Sequence, residues 1–291
     1  MYTHFFGFSE KPFEVTPDPK FLYLIPSYQE IMAALIYGIQ ERRGFITLIG
    51  EAGTGKTTLL NSVIEKLPPT HKIAFIFNTS LTFRQILLMA LEDFKVINQV
   101  RNLSKLEAID YLNKFALSQL ARGGNVVLII DEAQHLNKSS LENLRLLSNL
   151  ETPKHKLVQI VLCGQPELDA KLFQPNLKQL VQRISLRRFS KRLNEQETYN
   201  YISHRLSVVN YQGHQLFNHD TLKLIWEYSQ GIPRKVNILC DNSLLIAYAL
   251  NQKKVEEAII KEAIRDLEFR PYEELPYESY NFVYDKTFNS K

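Results

Sequence analysis

One stretch of eight residues, 50–57, limits the possible folds of this chain more than any other part of its sequence. It reads Gly-Glu-Ala-Gly-Thr-Gly-Lys-Thr and matches the pattern G-x-x-x-x-G-K-[ST]. Average residue frequencies would produce this pattern by chance in roughly one chain of this length in a hundred. An apolar run at residues 45–49 precedes it, and an apolar helical pattern follows from Lys56. The stretch therefore predicts a phosphate-binding loop between a buried strand and a helix.

The residue types in the loop suit a bound phosphate. Glycines let the backbone wrap closely around a phosphate, and successive N–H groups then point at its oxygens. The N-terminus of the following helix adds positive partial charge. Lys56 is expected to reach the β- and γ-phosphates, and Thr57 to offer its hydroxyl to Mg²⁺. The residues predicted to contact an ATP molecule here are Gly50, Glu51, Ala52, Gly53, Thr54, Gly55, Lys56, Thr57 and Thr58.

A second signal is the run of apolar residues 126–130, which ends in Asp131 and Glu132. Such a run predicts a buried strand that presents carboxylates at its C-terminal edge, where open α/β sheets bind their ligands. Asp131 is expected to hold Mg²⁺ through water, and Glu132 to polarise the attacking water as a general base. Together with the glycine loop, the acidic pair predicts a nucleotide-hydrolysing site.

Three further polar residues are candidates for the same site. Gln165 follows the strand pattern at 157–162 and could touch the γ-phosphate or the water, although a turn residue would also fit there. Arg183 is the first residue of a basic cluster that extends to Arg192. It is a candidate arginine finger, which would insert into the nucleotide site of a neighbouring subunit, but it could also be an arginine that is paired within its own chain. Arg234 follows a Gly-Ile-Pro turn at the start of a helix, from which it could contact the γ-phosphate.

The remaining sequence predicts one α/β region followed by helices. Short apolar runs at 45–49, 73–77, 126–130, 157–162 and 184–186 alternate with helical patterns, which is typical of a doubly wound parallel sheet. From residue 193 the patterns are helical only, at 195–209, 221–229, 234–250 and 256–267. We therefore expect four parts: an aromatic and proline-rich segment with a first helix (1–44), an α/β core (45–192), a helical lid (193–270) and a flexible tail (271–291).

Composition excludes several classes of protein. Hydrophobic residues make up 45% of the 291 positions and charged residues 23%, so the chain is not expected to be disordered. Its apolar runs fall far short of the ~20 residues that a membrane span needs, and the N-terminus lacks a signal-peptide pattern. The two cysteines are far apart in sequence, which argues against a zinc site or disulfide. The net charge of +4 does not by itself indicate nucleic-acid binding.

Several short motifs make the chain similar to a known family. They are Phe5-Phe6-Gly7-Phe8, Lys11-Pro12-Phe13, Thr16-Pro17-Asp18-Pro19, Phe21-Leu22-Tyr23, Tyr37-Gly38-Ile39, Gly164-Gln165-Pro166-Glu167-Leu168, Gln182-Arg183-Ile184 and Gly231-Ile232-Pro233-Arg234. Over residues 2 to 268 the sequence resembles the ExeA/GspA-like family of AAA+ ATPases. The resemblance implies a P-loop AAA+ core with strand order 5-1-4-3-2 and an α-helical lid. It implies Gln165 as sensor 1, Arg234 as sensor 2 and Arg183 as the finger. It also implies that Pro26 to Tyr28 help enclose the adenine, although the family usually has His where this chain has Tyr28.

The resemblance implies an oligomeric, magnesium-dependent ATPase that serves secretion, pilus or envelope assembly. We expect it in the cytoplasm, or at the inner face of the cytoplasmic membrane with an envelope partner there. Longer family members continue into a membrane span and a peptidoglycan-binding domain, so a free-standing ATPase and a fragment of a longer protein are both open. The alternative function is an ATP-dependent DNA-binding regulator like the related TnsC/TniB transposition ATPases, for which the basic cluster speaks. Asp-Glu-Ala-Gln at 131–134 could also be a helicase box, but helicases need a second α/β domain, and the region after 193 is helical.

Overall fold

The computed structural model describes residues 2–77, 81–97 and 103–271. The chain divides into two compact units. One consists of residues 16–191, and the other combines the first 15 residues with the chain from Arg192 onward. The segment expected to be a flexible tail lies outside the described residues from position 272 onward.

The unit formed by residues 16–191 is built on a parallel sheet. Its strands are β1 (Phe45–Ile49), β2 (Lys72–Ile76), β3 (Val126–Ile130), β4 (Val158–Gly164) and β5 (Ile184–Phe189). They lie in the order β2-β3-β4-β1-β5, and every neighbouring pair is parallel. This confirms the expected order 5-1-4-3-2. Ile49 lies opposite Gly164 and Ile130 opposite Leu162, so β1, β3 and β4 end at one edge of the sheet.

The longer helices agree with the sequence periodicity to within a few residues. In chain order the helices are α1 (Tyr2–Phe6), α2 (Pro26–Gln40), α3 (Lys56–Lys66), α4 (Phe83–Asp93), α5 (Lys105–Ala121), α6 (Lys138–Leu147), α7 (Pro166–Leu172), α8 (Lys178–Val181), α9 (Glu195–Val208), α10 (His219–Ser229), α11 (Pro233–Ala249) and α12 (Glu257–Asp266). The short helices α1, α7 and α8 have no counterpart in the predicted pattern. Thr82 and Ser104 form capping boxes that start α4 and α5, because each hydroxyl accepts a backbone N–H that would otherwise lack an intrahelical partner.

The core of the α/β unit holds the central strands rigidly. Every residue of β1, β3 and β4 is buried, as expected for parallel strands covered on both faces. A cluster that includes Ile86, Leu112 and Leu144 packs helices against one face of the sheet. The core therefore holds the C-terminal ends of these strands in place, and the residues that follow them can form a site.

The strand β5 is longer than the sequence predicts. The apolar run at 184–186 is interrupted by Arg187 and Arg188, but the backbone pairing with β1 continues to Phe189. The arginines are accommodated because Arg187 forms an ion pair with Asp169 and stacks on Phe173, with 4.5 Å between the guanidinium carbon and the ring centroid. Ladder hydrogen bonds do not depend on side-chain type, so the polar residues end the sequence signal but not the strand.

The second unit contains α1, α9, α10, α11 and α12. The buried Arg205 of α9 donates to the carbonyl oxygens of Pro12 and Glu14, and Phe13 is almost fully buried. The segment 1–44 that the sequence predicts as one part is divided after Val15, because these contacts hold the first residues against the C-terminal helices. None of the helices in the described ranges is long and apolar enough to span a bilayer.

Candidate nucleotide-binding site

The glycine loop between β1 and α3 has the backbone that its sequence predicts. Gly53 and Gly55 both have φ of 81°, in the left-handed region that glycine adopts without strain. A Cβ atom on Gly50 would lie 1.9 Å from the Ser190 Oγ and 3.1 Å from the Ser190 carbonyl oxygen, so a larger residue there would have to displace Ser190. The helix α3 begins at Lys56 with its first N–H groups directed toward the loop. The loop thus combines backbone donors with a helix N-terminus, which together attract an anion.

Lys56 and Thr57 join the loop to the strand β3. The buried Lys56 Nζ donates to the carbonyl oxygens of Gly50 (2.8 Å) and Glu51 (2.9 Å). The Thr57 Oγ1 donates to the Asp131 Oδ2 at 2.7 Å. The structure therefore brings together the two residues expected to hold Mg²⁺, although they are 74 positions apart. A hydroxyl and a carboxylate are oxygen ligands, which Mg²⁺ prefers, and it commonly takes only one or two carboxylates with substrate phosphates and water.

Glu132 has an unusual backbone and a well-defined hydrogen-bond environment. Its φ of 52° is in the left-handed region, which costs of order 1 kcal/mol or more for a residue other than glycine. Its Oε2 accepts hydrogen bonds from the Gln134 Nε2 (2.5 Å) and the Gln165 Nε2 (3.1 Å). Partial burial alone would raise the pKa of this carboxyl, but the two hydrogen bonds and the charge of Lys56 hold its pKa below the ordinary value. Glu132 is therefore ionised at neutral pH, as a general base must be.

Gln165 lies directly after β4 and beside Glu132, and its contact with the γ-phosphate or the water stays a prediction. Gln134, for which the sequence predicts no role, lies in the same network. The Gln134 Oε1 accepts from the Gln165 backbone N–H at 3.1 Å, and only 7% of the residue is exposed. In the sequence, Gln134 is marked by its position three residues after Asp131. Spacing along the chain cannot show that its side chain contacts Gln165, which follows the neighbouring strand β4.

Tyr28 contacts the glycine loop through its hydroxyl group. The buried Tyr28 donates from its hydroxyl to the Thr54 carbonyl oxygen at 2.6 Å, and the Thr54 Oγ1 lies 2.8 Å from the Ser190 Oγ. Pro26 is exposed at the first position of α2. Tyr28 therefore anchors the loop, a role that the resemblance did not imply, while contact of Pro26 and Tyr28 with adenine remains a prediction.

Replacing Tyr28 by phenylalanine should loosen this anchor. The loss of one buried hydrogen bond should lower the free energy of unfolding by about 1 kcal/mol, and the affinity for ATP should fall several-fold because the loop is less well ordered before binding. Urea denaturation and calorimetric titration would measure the two effects. Tyr37→Phe is the matched control, since Tyr37 lies on the same helix and its exposed hydroxyl accepts a hydrogen bond from the exposed Arg43 side chain. Equal effects of both substitutions would contradict the assignment.

The two arginines predicted for the site, Arg183 and Arg234, lie in different units of the chain. Arg183 is exposed between α8 and β5, whereas Arg234 is exposed at the second position of α11 in the other unit. Within the basic cluster, Arg187 is paired with Asp169, and the Arg188 Nε lies 3.9 Å from the Glu30 Oε1. Part of the positive charge that could attract DNA is thus neutralised within the chain.

Comparisons with known proteins show what this chain is similar to. Residues 39–172 match a family described as an AAA domain. The chain is 42% identical over 255 residues to General secretion pathway protein A of Aeromonas hydrophila, which covers 88% of this chain and 46% of that protein. This chain therefore spans less than half the length of that relative.

Solved structures share the fold at low sequence identity. The ORC1 protein of Aeropyrum pernix, in complex with DNA, superposes with a TM-score of 0.67 at 16% identity, covering 89% of this chain and 70% of that one. Cdc6p from Pyrobaculum aerophilum has a TM-score of 0.66 at 17% identity, covering 84% of this chain and 68% of that one. At this level of identity the likeness concerns the fold alone.

Proposed function

We propose that this chain, a member of the ExeA/GspA-like family of AAA+ ATPases, binds ATP with Mg²⁺ and hydrolyses it to ADP and phosphate. The observation that supports the proposal is that the side chains of Thr57, Asp131 and Glu132 lie together beside the C-terminal end of β3. Thr57 contacts Asp131 at 2.7 Å, and the carboxylate of the adjacent Glu132 is held by Gln165 at 3.1 Å. A hydroxyl and a carboxylate for the metal thus lie next to an ionised base.

Each residue of the site has a defined task in this proposal. The loop amides and Lys56 bind the phosphates, and Lys56 exchanges its two loop carbonyls for phosphate oxygens. Thr57 and Asp131 would hold Mg²⁺, which neutralises charge on the phosphates when it is bound. Glu132 accepts a proton from the attacking water, and Gln165 orients that carboxylate. Contact of Arg234 with the γ-phosphate stays a prediction from the sequence.

We propose a homo-oligomer in which Arg183 reaches the site of a neighbouring subunit. Arg183 is exposed and follows a short helix at the start of the edge strand β5, so it is accessible to a second copy of the chain. An arginine supplied in trans can neutralise charge in the transition state. Turnover per subunit should then rise with protein concentration, and calorimetry should detect binding of Mg·ATP. A folded chain that gives no heat with Mg·ATP or Mg·ADP would contradict the whole proposal.

Arg183→Ala should reduce turnover by about 10³-fold, the lower end of the range for an arginine finger, and a mixing experiment would show whether it acts in trans. Arg183→Ala has an intact base but no finger, whereas Glu132→Gln has a finger but no base. Mixing these two inactive variants should restore part of the activity. Arg122→Ala, which removes an exposed arginine at the C-terminal end of α5, is the control. Failure of the mixture to recover activity would place Arg183 in its own subunit's chemistry or outside the mechanism.

The biological role proposed here is in secretion, pilus or envelope assembly, in the cytoplasm or at the inner face of the cytoplasmic membrane. Its support is the 42% identity to General secretion pathway protein A. No observation favours the alternative of a DNA-binding transposition regulator, since Arg187 and Arg188 of the basic cluster face the carboxylates of Asp169 and Glu30.

A further inference from the structure

The amide side chain of Gln134 bridges the ends of two neighbouring strands. Gln134 follows β3 and Gln165 follows β4. The Gln134 Oε1 accepts from the Gln165 backbone N–H at 3.1 Å, while the Gln134 Nε2 donates to the Glu132 Oε2 at 2.5 Å. The Gln165 Nε2 donates to the same Glu132 oxygen at 3.1 Å, so the three residues form a closed ring of hydrogen bonds.

The chemistry of the ring determines how the Gln134 amide is oriented. A backbone N–H can only donate, so the Gln134 oxygen must face Gln165. The nitrogen must then face Glu132, whose ionised carboxylate can only accept. A flipped amide would lose both bonds, so each partner enforces the orientation that the other requires.

The surroundings of Gln134 keep this amide in place. A Cβ atom on Gly164 would lie 2.9 Å from the Gln134 Oε1, so glycine at the end of β4 makes room for the amide. Lys171 of α7 donates to the carbonyl oxygens of Gln134 and Leu136, which ties the turn after Glu132 to the helix after Gln165. Only 7% of Gln134 is exposed, so the side chain contacts the base rather than solvent.

We propose that Gln134 is a positioning residue for ATP hydrolysis. Its side-chain amide holds the Glu132 carboxylate in a fixed position relative to Gln165, the predicted sensor 1 residue. This inference rests on the proposed function, since Glu132 must be the base. A carboxylate on a backbone with positive φ has no regular secondary structure to direct it, and a displacement of about 1 Å can cost about 100-fold in rate. Gln134 adds a second donor to this carboxylate beside Gln165, and it does so from a buried position.

Steady-state kinetics on the full chain would test this role. Gln134→Leu should lower kcat by about 10- to 100-fold and leave KM for ATP within about threefold, because the residue acts on the base and not on the phosphates. Gln134→Glu keeps the size and the acceptor for Gln165 but places a second carboxylate against Glu132, so kcat should fall at least as far. Gln159→Leu is the matched control. It removes a buried glutamine at the other end of β4, whose partners are Gly44, Asn125 and Lys156, and kcat should stay within about twofold.

A second readout separates positioning from a loss of structure. In the Glu132→Gln background, adding Gln134→Leu should change the residual kcat by less than about twofold, because the group that Gln134 positions is already gone. Equal kcat for Gln134→Leu and Gln159→Leu, with Glu132→Gln inactive, would overturn the inference and leave the proposed function standing. A wild-type chain that binds ATP without turnover, or a fully active Glu132→Gln, would overturn the proposed function and this inference with it.

Discussion

Replacing Glu132 by glutamine is expected to leave ATP binding intact and to slow hydrolysis by at least about 100-fold, the scale of losing a general base. The substitution keeps the shape of the side chain but removes the group that accepts a proton. Its neighbours stay in place, because Gln165 and Gln134 can still donate to the amide oxygen at the position of Oε2. Binding depends instead on the loop, Lys56 and Thr57, so affinity should change little.

The matched control for this prediction is Glu167→Gln. Glu167 is an exposed carboxylate in the first turn of α7, two residues after Gln165, so the chemical change is identical and nearby. Phosphate release would measure turnover, and calorimetric titration would measure binding. A Glu132→Gln variant that hydrolyses ATP at the rate of Glu167→Gln would remove Glu132 from the mechanism.

Replacing Lys56 by alanine should abolish nucleotide binding or reduce affinity by about 100-fold or more. A hydrogen bond to a charged group contributes about 1.5–3 kcal/mol, and Lys56 is expected to make more than one to the phosphates. Its ammonium group is already buried among carbonyl oxygens of the loop, so the positive charge is in position before ATP arrives. Calorimetry with Mg·ATP is the direct measurement.

Because Lys56 also bonds Gly50 and Glu51, its loss could disturb the loop itself. Lys66→Ala provides the comparison, since Lys66 is an exposed lysine at the last position of the same helix. Urea denaturation of both variants would separate a folding defect from a binding defect. Unchanged ATP affinity in a folded Lys56→Ala variant would refute the assignment of the loop.

Much of the α/β unit follows from local patterns. Parallel strands that are buried on both faces are largely apolar, with Thr47 as a buried exception in β1, so the runs at 45–49 and 126–130 give the bounds that the structure has. The glycine loop is equally local, because its positive φ angles and its helix start are encoded within eight residues. The strand order came from the resemblance to a family, since no periodicity states which strands are neighbours.

The sequence by itself determined which chemistry this chain can carry: a lysine and a threonine behind a glycine loop, and an acidic pair after a strand. Only the tertiary structure decided how those groups meet. In the folded chain Thr57 donates a hydrogen bond to Asp131. Gln134 and Gln165 both donate to Glu132, and the Tyr28 hydroxyl donates to the glycine loop. The physical reason is that residue type and spacing control local backbone shape, whereas contacts across strands depend on how the whole sheet packs.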